Sequence, residues 1–297
     1  TQLQKNHYFR SMTSTALTEQ ILLKQSYLCV GLDSDITKLP AHLKGKSDGV
    51  IQFNKAIIDA TLPYCVSYKI NTAFYESQGL KGWEIMKETL DYIPPTHFTI
   101  ADAKRGDIGN TSTQYAKAFF EALNFDAITV APYMGEDSIK PFLEYDNKVT
   151  IVLGLTSNIG SNDFQQLLLE EYDESLTMVP HITQGATEKR LYEHVLARVA
   201  EWGTKENLMF VVGATQAAEL ENIRHIIPEH FLLVPGVGAQ GGSLKEVSKF
   251  GLNQSVGLLV NASRAIIFAS GNEDFAIQAA HVAENYQKEM AGYLQIM

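Results

Sequence analysis

Asp102, Lys104 and Asp107 fall within six residues of one another, inside a stretch from Phe98 to Ser112 that opens as a short apolar run and ends in a burst of charge. Side chains two apart on an extended strand share a face. Asp102 and Lys104 therefore present a carboxylate and an ammonium on one side, at the end of what reads as a buried strand. Gly106 lets the chain turn before Asp107. Left unpaired in such a setting, these charges would be costly. They either neutralise one another as structure or make up a site. A surface Asp-Lys pair is common and contributes little. A pair that caps an apolar strand, with charged groups repeated at other strand ends, points to a site.

Those repeats are specific. Asp33 follows the apolar run 27–32, Lys69 lies near the end of the run 65–70, and Ser157 follows the run 149–153. The run 231–234 leads into Pro235-Gly236-Val237-Gly238-Ala239-Gln240-Gly241-Gly242, and Arg264 follows the run 256–260. Lys69, Asp102, Lys104 and Asp107 alternate in sign. Mutual attraction in such an array keeps lysines protonated and carboxylates ionised. That argues against a Schiff-base lysine, which needs a depressed pKa. It suits stabilisation of a developing anion, with a lysine as proton donor. The glycines of 236–242 would let backbone N–H groups approach an anion closely, and Arg264 can grip a phosphate in a bidentate way.

Eight strand-then-helix units must position these groups. The strands are read at 27–32, 65–70, 97–101, 127–130, 149–153, 208–212, 231–234 and 256–260. Helices are expected at 49–61, 74–92, 110–123, 136–143, 187–202, 216–224, 244–250 and 273–290, with one more before the first strand. Continuous apolar strands belong to a sheet covered on both faces. Eight such parallel units predict an α/β fold, a (β/α)₈ TIM barrel in a single domain over 12–297. An open doubly wound sheet is the alternative, weakened because Val30-Gly31-Leu32-Asp33 is no Gly-x-Gly-x-x-Gly turn. A barrel gathers its chemistry where strands end, and takes phosphate at the seventh and eighth ends. The polar, acidic connection running to about residue 185 is long enough to suggest a lid. Residues 1–11 read as the remnant of an expression tag, with Met12 serving as a start.

Composition narrows the classes. The chain has 297 residues, 45% hydrophobic and 20% charged, with a net charge of −10. That balance makes nucleic acid an unpromising partner, and no apolar run is long enough for a membrane span. Cys29 and Cys65 lie in apolar runs and read as buried hydrophobes, which suits a reducing cytoplasm. No zinc-type spacing is present.

Asp102-Ala103-Lys104-Arg105-Gly106-Asp107-Ile108 resembles the Asp-x-Lys-Arg-x-Asp-Ile signature of the orotidine 5′-monophosphate decarboxylases. Gly31-Leu32-Asp33-Ser34-Asp35, Lys69-Ile70-Asn71, Thr156-Ser157-Asn158 and the glycine run 235–242 match in order and spacing. The length and the long fifth connection are similar to the longer bacterial subfamily, though Ile159 stands where that subfamily commonly has proline. Asn261-Ala262-Ser263-Arg264 also differs from the Gly-Arg of the shorter enzymes. The resemblance implies loss of CO₂ from orotidine 5′-phosphate to give UMP, with neither cofactor nor metal. It implies that Lys104 stabilises and protonates C6, that Asp102 faces the departing carboxylate, and that Lys69 and Asp33 bind ribose hydroxyls. Ser157 would contact the pyrimidine, and Pro235, Gln240, Ser263 and Arg264 would form the phosphate end. It further implies a homodimer in which Asp107 and Thr111 reach the neighbouring subunit's site. Two other readings stay open. One is a metal-dependent sister enzyme, a hexulose-phosphate synthase or keto-gulonate-phosphate decarboxylase, against which Arg105 and the glycine run speak. The other is a nucleotide-binding barrel without turnover.

Overall fold

The computed structural model describes residues 12–170, 188–238 and 241–296. The expected tag remnant at 1–11, much of the fifth connection, and Gln240 lie outside the described residues. The strands are β1 Leu28–Gly31, β2 Ser67–Asn71, β3 Phe98–Arg105, β4 Ala127–Val130, β5 Val149–Leu155, β6 Leu168–Glu170, β7 Glu188–Arg190, β8 Leu208–Val212, β9 Phe231–Pro235 and β10 Leu258–Ala262. Eight of them close a parallel barrel in the order β1-β10-β9-β8-β5-β4-β3-β2, and β6 pairs antiparallel with β7 outside it. The expected (β/α)₈ barrel is the fold. Among the described residues no helix is long and apolar enough to cross a membrane.

Helices cover the barrel by burying one stripe each. The helix Gly49–Thr61 buries Val50, Phe53, Ile57 and Ile58, and each such side chain contributes roughly 1.5–3 kcal/mol. Buried Phe119, Phe125, Phe142 and Phe210 fill the layer between strands and helices elsewhere. Near the strands' amino ends, buried Asp126 accepts the Thr99 N–H at 2.9 Å and its hydroxyl at 2.6 Å. That end is a stabilising floor, and chemistry is left to the other rim.

Several expected boundaries move, each for a local reason. The helix expected over 74–92 is two, Ala73–Glu76 and Leu80–Tyr92, because Gly79 adopts φ +64° between them. The third strand extends beyond residue 101 to Arg105, carrying Asp102 and Lys104 within it. The helix over 110–123 changes its winding along its length: α-helical at Gly109–Ala116, then a wider π-helical segment at Lys117–Ala122. The helix expected at 216–224 begins as a 3₁₀ segment, Ala214–Glu219, and continues as Leu220–Ile226. The eighth barrel strand starts at Leu258, since Val256 and Gly257 take positive φ and cannot extend the ladder. The fifth connection carries structure of its own, a short helix Ser161–Phe164 and the β6–β7 hairpin, so the next helix begins at Leu191.

Candidate active site

Charged groups meet where the strands end at their carboxyl side. A cavity of about 320 Å³ opens there, lined by Asp33, Lys69, Asp102, Lys104, Ser157, Pro235, Ser263 and Arg264 among others. Eight of the side chains singled out from the sequence are thus brought together. Asp107 and Thr111 do not line the cavity: the Asp107 carboxylate accepts the Ile108 N–H at 2.7 Å, and Thr111 is exposed in the following helix.

The ion pairs form a chain. Lys69 Nζ donates to Asp102 Oδ2 at 2.7 Å and lies 3.9 Å from Asp33 Oδ1. Lys104 Nζ donates to Asp102 Oδ1 at 2.5 Å. Lys69 and Asp102 have side chains only 5% and 11% exposed, whereas that of Lys104 is 51% exposed and free to reach into the cavity. Burial alone would discharge Lys69; attraction by Asp102 and Asp33 outweighs it and holds the ammonium above its ordinary pKa. Burial would likewise neutralise Asp102, but Lys69 and Lys104 hold its carboxyl well below the usual carboxylate range. These are the directions expected of an array that keeps every member charged.

Each member is braced by its element. Leu32 N donates to Lys69 O at 2.8 Å, which ties the Asp33 loop to β2. Beneath Asp33, the Ser34 hydroxyl donates to buried Asn54, and Asn54 in turn donates to Tyr75 and Thr89. Arg105 pairs with Glu76, bonds the Ala103 carbonyl at 3.0 Å and lies over Tyr115 and Phe119. It therefore anchors the β3 end and does not face the cavity. The Thr156-Ser157-Asn158 turn is gripped by Gln165, whose Oε1 accepts the Thr156 N–H at 2.8 Å.

At the phosphate-type end, Gly236 and Gly238 take φ +100° and +75°, a turn that non-glycine residues resist. The N–H groups of Gly238, Gly241 and Gly242 close that turn on one another. The amides open to an anion are thus fewer than the four glycines suggested. Among the described residues, Asp33 Oδ1 and Ser263 Oγ are buried without a hydrogen-bond partner. Buried polar atoms are normally satisfied, so both are placed for a polar ligand. A larger groove of about 530 Å³ lies at the strands' amino ends. Its Arg224 is spent on the carbonyls of Gly251, His230 and Gly257.

Asn71, Asn158 and Asn261 stand in the sequence only inside motifs and without a role, and Thr129 is not singled out there; all four line the cavity. Asn71 and Asn261 carried a readable signal, a polar residue at the end of an apolar run. Thr129 carried none, since a β-branched residue inside a strand is ordinary.

A closed (β/α)₈ barrel with an alternating ion chain and an arginine at its carboxyl-end cavity is the architecture of a barrel enzyme that handles anionic substrates. The comparisons narrow this. The family described as "Orotidine 5'-phosphate decarboxylase / HUMPS family" matches residues 26–280. A Christiangramia forsetii protein named orotidine 5′-phosphate decarboxylase is 56% identical over 287 residues, covering 96% of this chain and 99% of that one. A Phocaeicola vulgatus protein of the same name is 54% identical over 94% of this chain and 98% of that one. The solved structure of Leishmania donovani OMP decarboxylase superposes with a TM-score of 0.73 at 34% identity, covering 93% of this chain and 99% of that chain. The chain belongs to the orotidine 5′-phosphate decarboxylase / HUMPS family.

Proposed function

We infer that the chain is an orotidine 5′-phosphate decarboxylase, a carboxy-lyase that makes UMP and CO₂ in the last step of pyrimidine biosynthesis. The observation that carries this reading is the ion chain Asp33–Lys69–Asp102–Lys104 on one cavity with Arg264. Relatives more than half identical over nearly full length carry that name, which favours the nucleotide enzyme over its metal-dependent sisters.

In this reading the C6 carboxylate of the substrate faces Asp102. The bond from C6 to the carboxylate breaks, CO₂ departs, and the electron pair stays on C6. The Lys104 ammonium stabilises that pair and then transfers one proton to C6, giving UMP. Lys69 holds Asp102 ionised and, with Asp33, takes the ribose hydroxyls. Ser157 contacts the pyrimidine; Pro235, Gln240, Ser263 and Arg264 form the phosphate end. Binding energy from the remote phosphate serves the reacting centre, and charge fixed in advance replaces an electron-accepting cofactor. The reaction so written uses neither cofactor nor metal.

Asp107 and Thr111, set outside their own cavity, complete the site of a second subunit in a homodimer. The reducing cytoplasm is the proposed location, a reading supported by Cys29 and Cys65, both buried and both free thiols. The partner is a small anionic nucleotide and not a nucleic acid, in keeping with the net charge of −10.

The test follows loss of orotidylate absorbance with EDTA present. Wild-type protein turns the substrate over undiminished, and Lys104→Ala keeps the fold but loses at least about 10³-fold in kcat. A Lys104→Ala variant with wild-type kcat, or activity that chelation abolishes, overturns the reading.

A further inference from the structure

The β3–β4 ladder breaks step beside the ion chain. Ile100 pairs with Ala127 and Ala101 with Ile128, but the next pair is Arg105 with Val130. Asp102, Ala103 and Lys104 therefore stand opposite a single residue, Thr129. Bulges of this kind re-aim side chains and leave ladder groups unpaired. Lys104 sits at the crest with φ +48°, a left-handed conformation that a lysine rarely takes.

Thr129, 1% exposed, fills the gap with one hydroxyl. Its Oγ1 accepts the Lys104 backbone N–H at 3.0 Å and donates to Asp102 Oδ1 at 3.1 Å. A single atom thus joins the backbone of the proton donor to the carboxylate beside it. Asp102 Oδ2 is already taken by Lys69, so the attitude of Oδ1 depends on Thr129 and Lys104. Lys104 Nζ is the group that must leave Asp102 to serve C6. Thr129 is the contact that stays.

Building on the functional reading above, we propose that Thr129 is a positioning residue for the decarboxylation: it pins the β3 bulge so that Asp102 and Lys104 keep their aim while the proton is delivered. Valine at this position would preserve the volume, leave the Lys104 N–H unpaired and remove one donor from Asp102.

The experiment compares wild type, Thr129→Val and Thr129→Ser in steady-state turnover of orotidylate, with UMP affinity by calorimetry and thermal melting alongside. UMP lacks the C6 carboxylate, so its binding reports the ribose, base and phosphate contacts alone. A hydrogen bond to a charged group sets the expected size: Thr129→Val lowers kcat about 10- to 100-fold, while KM and UMP affinity stay within about threefold. Thr129→Ser, which keeps the hydroxyl, returns kcat to within about threefold of wild type. If the valine variant does not fold, Thr129→Ala is held to the same expectation. Wild-type kcat in the hydroxyl-free variant, a serine variant as slow as valine, or equal losses of kcat and UMP affinity overturn the proposal. Wild-type turnover in the same assay separates this failure from failure of the functional reading; its absence overturns both.

Discussion

Lys69 and Asp102 keep each other charged, and that has a consequence for pH. The Asp102 pKa is lower in the folded protein than in the unfolded chain, where it lies near 4. Its contribution to stability is present above about pH 4 and is lost only as pH falls through the lower folded value. The Lys69 pKa is higher in the folded protein than its unfolded value near 10.4. Its contribution is complete below about pH 10 and is lost as pH rises through the folded value. Neither group titrates between roughly pH 5 and 9. The unfolding free energy of wild type minus that of Lys69→Met/Asp102→Asn is expected to be flat across this window, measured by urea denaturation. A drift beyond about 1 kcal/mol inside it would contradict the assignment. The sign of that difference is a separate matter, since apolar replacements of buried ion pairs are often neutral or stabilising.

At the scale of elements, strand ends hold the reacting groups and the neighbouring backbone sets their tolerance. Gly213, just past β8, shows this. A Cβ there would lie 2.1 Å from Ser157 Oγ and 2.7 Å from Ser157 N. Gly213→Ala is therefore expected to displace Ser157 and lower kcat/KM for orotidylate at least about tenfold, and, because the clash includes the Ser157 backbone, to lower the melting temperature as well. Unaltered kinetics would remove Ser157 from the site. The same scale explains what could be read in the sequence. The barrel strands were legible because doubly covered strands are continuous apolar runs, and Asp33, Lys69 and Arg264 stood out at or near their ends. The β3 bulge was not legible, because Phe98–Arg105 reads the same whether or not its ladder slips. Nor was the β6–β7 hairpin: Glu188, Lys189 and Arg190 carry no strand pattern, and only pairing with Leu168–Glu170 makes them one. Arg105 stood in the motif without an assigned role; cation–π contact and Glu76 make it an anchor, which its neighbours in sequence did not reveal.

The whole molecule divides its labour between two ends. Asp126 and Thr99 close one, and the ion chain occupies the other. The proposed homodimer adds a second division, with Asp107 and Thr111 of one subunit serving the cavity of the next. Mixing inactive Lys104→Ala with inactive Asp107→Ala, after subunit exchange, should then restore activity to about a quarter of wild type, because each hybrid dimer rebuilds one intact site and half of the dimers are hybrids. Turnover measured before and after exchange checks it. No recovery in a mixture shown to contain hybrids would mean that each subunit works with its own residues.

The twisted backbone at Lys104 also sets a limit on durability. Glycine would occupy that conformation freely, whereas a side chain there costs on the order of 1 kcal/mol. Glycine there would relieve that strain but would delete the proton donor and one of the two cations that hold Asp102 ionised. A hardier descendant of this protein must find its extra degrees elsewhere, in the outer helices or in the floor around Asp126.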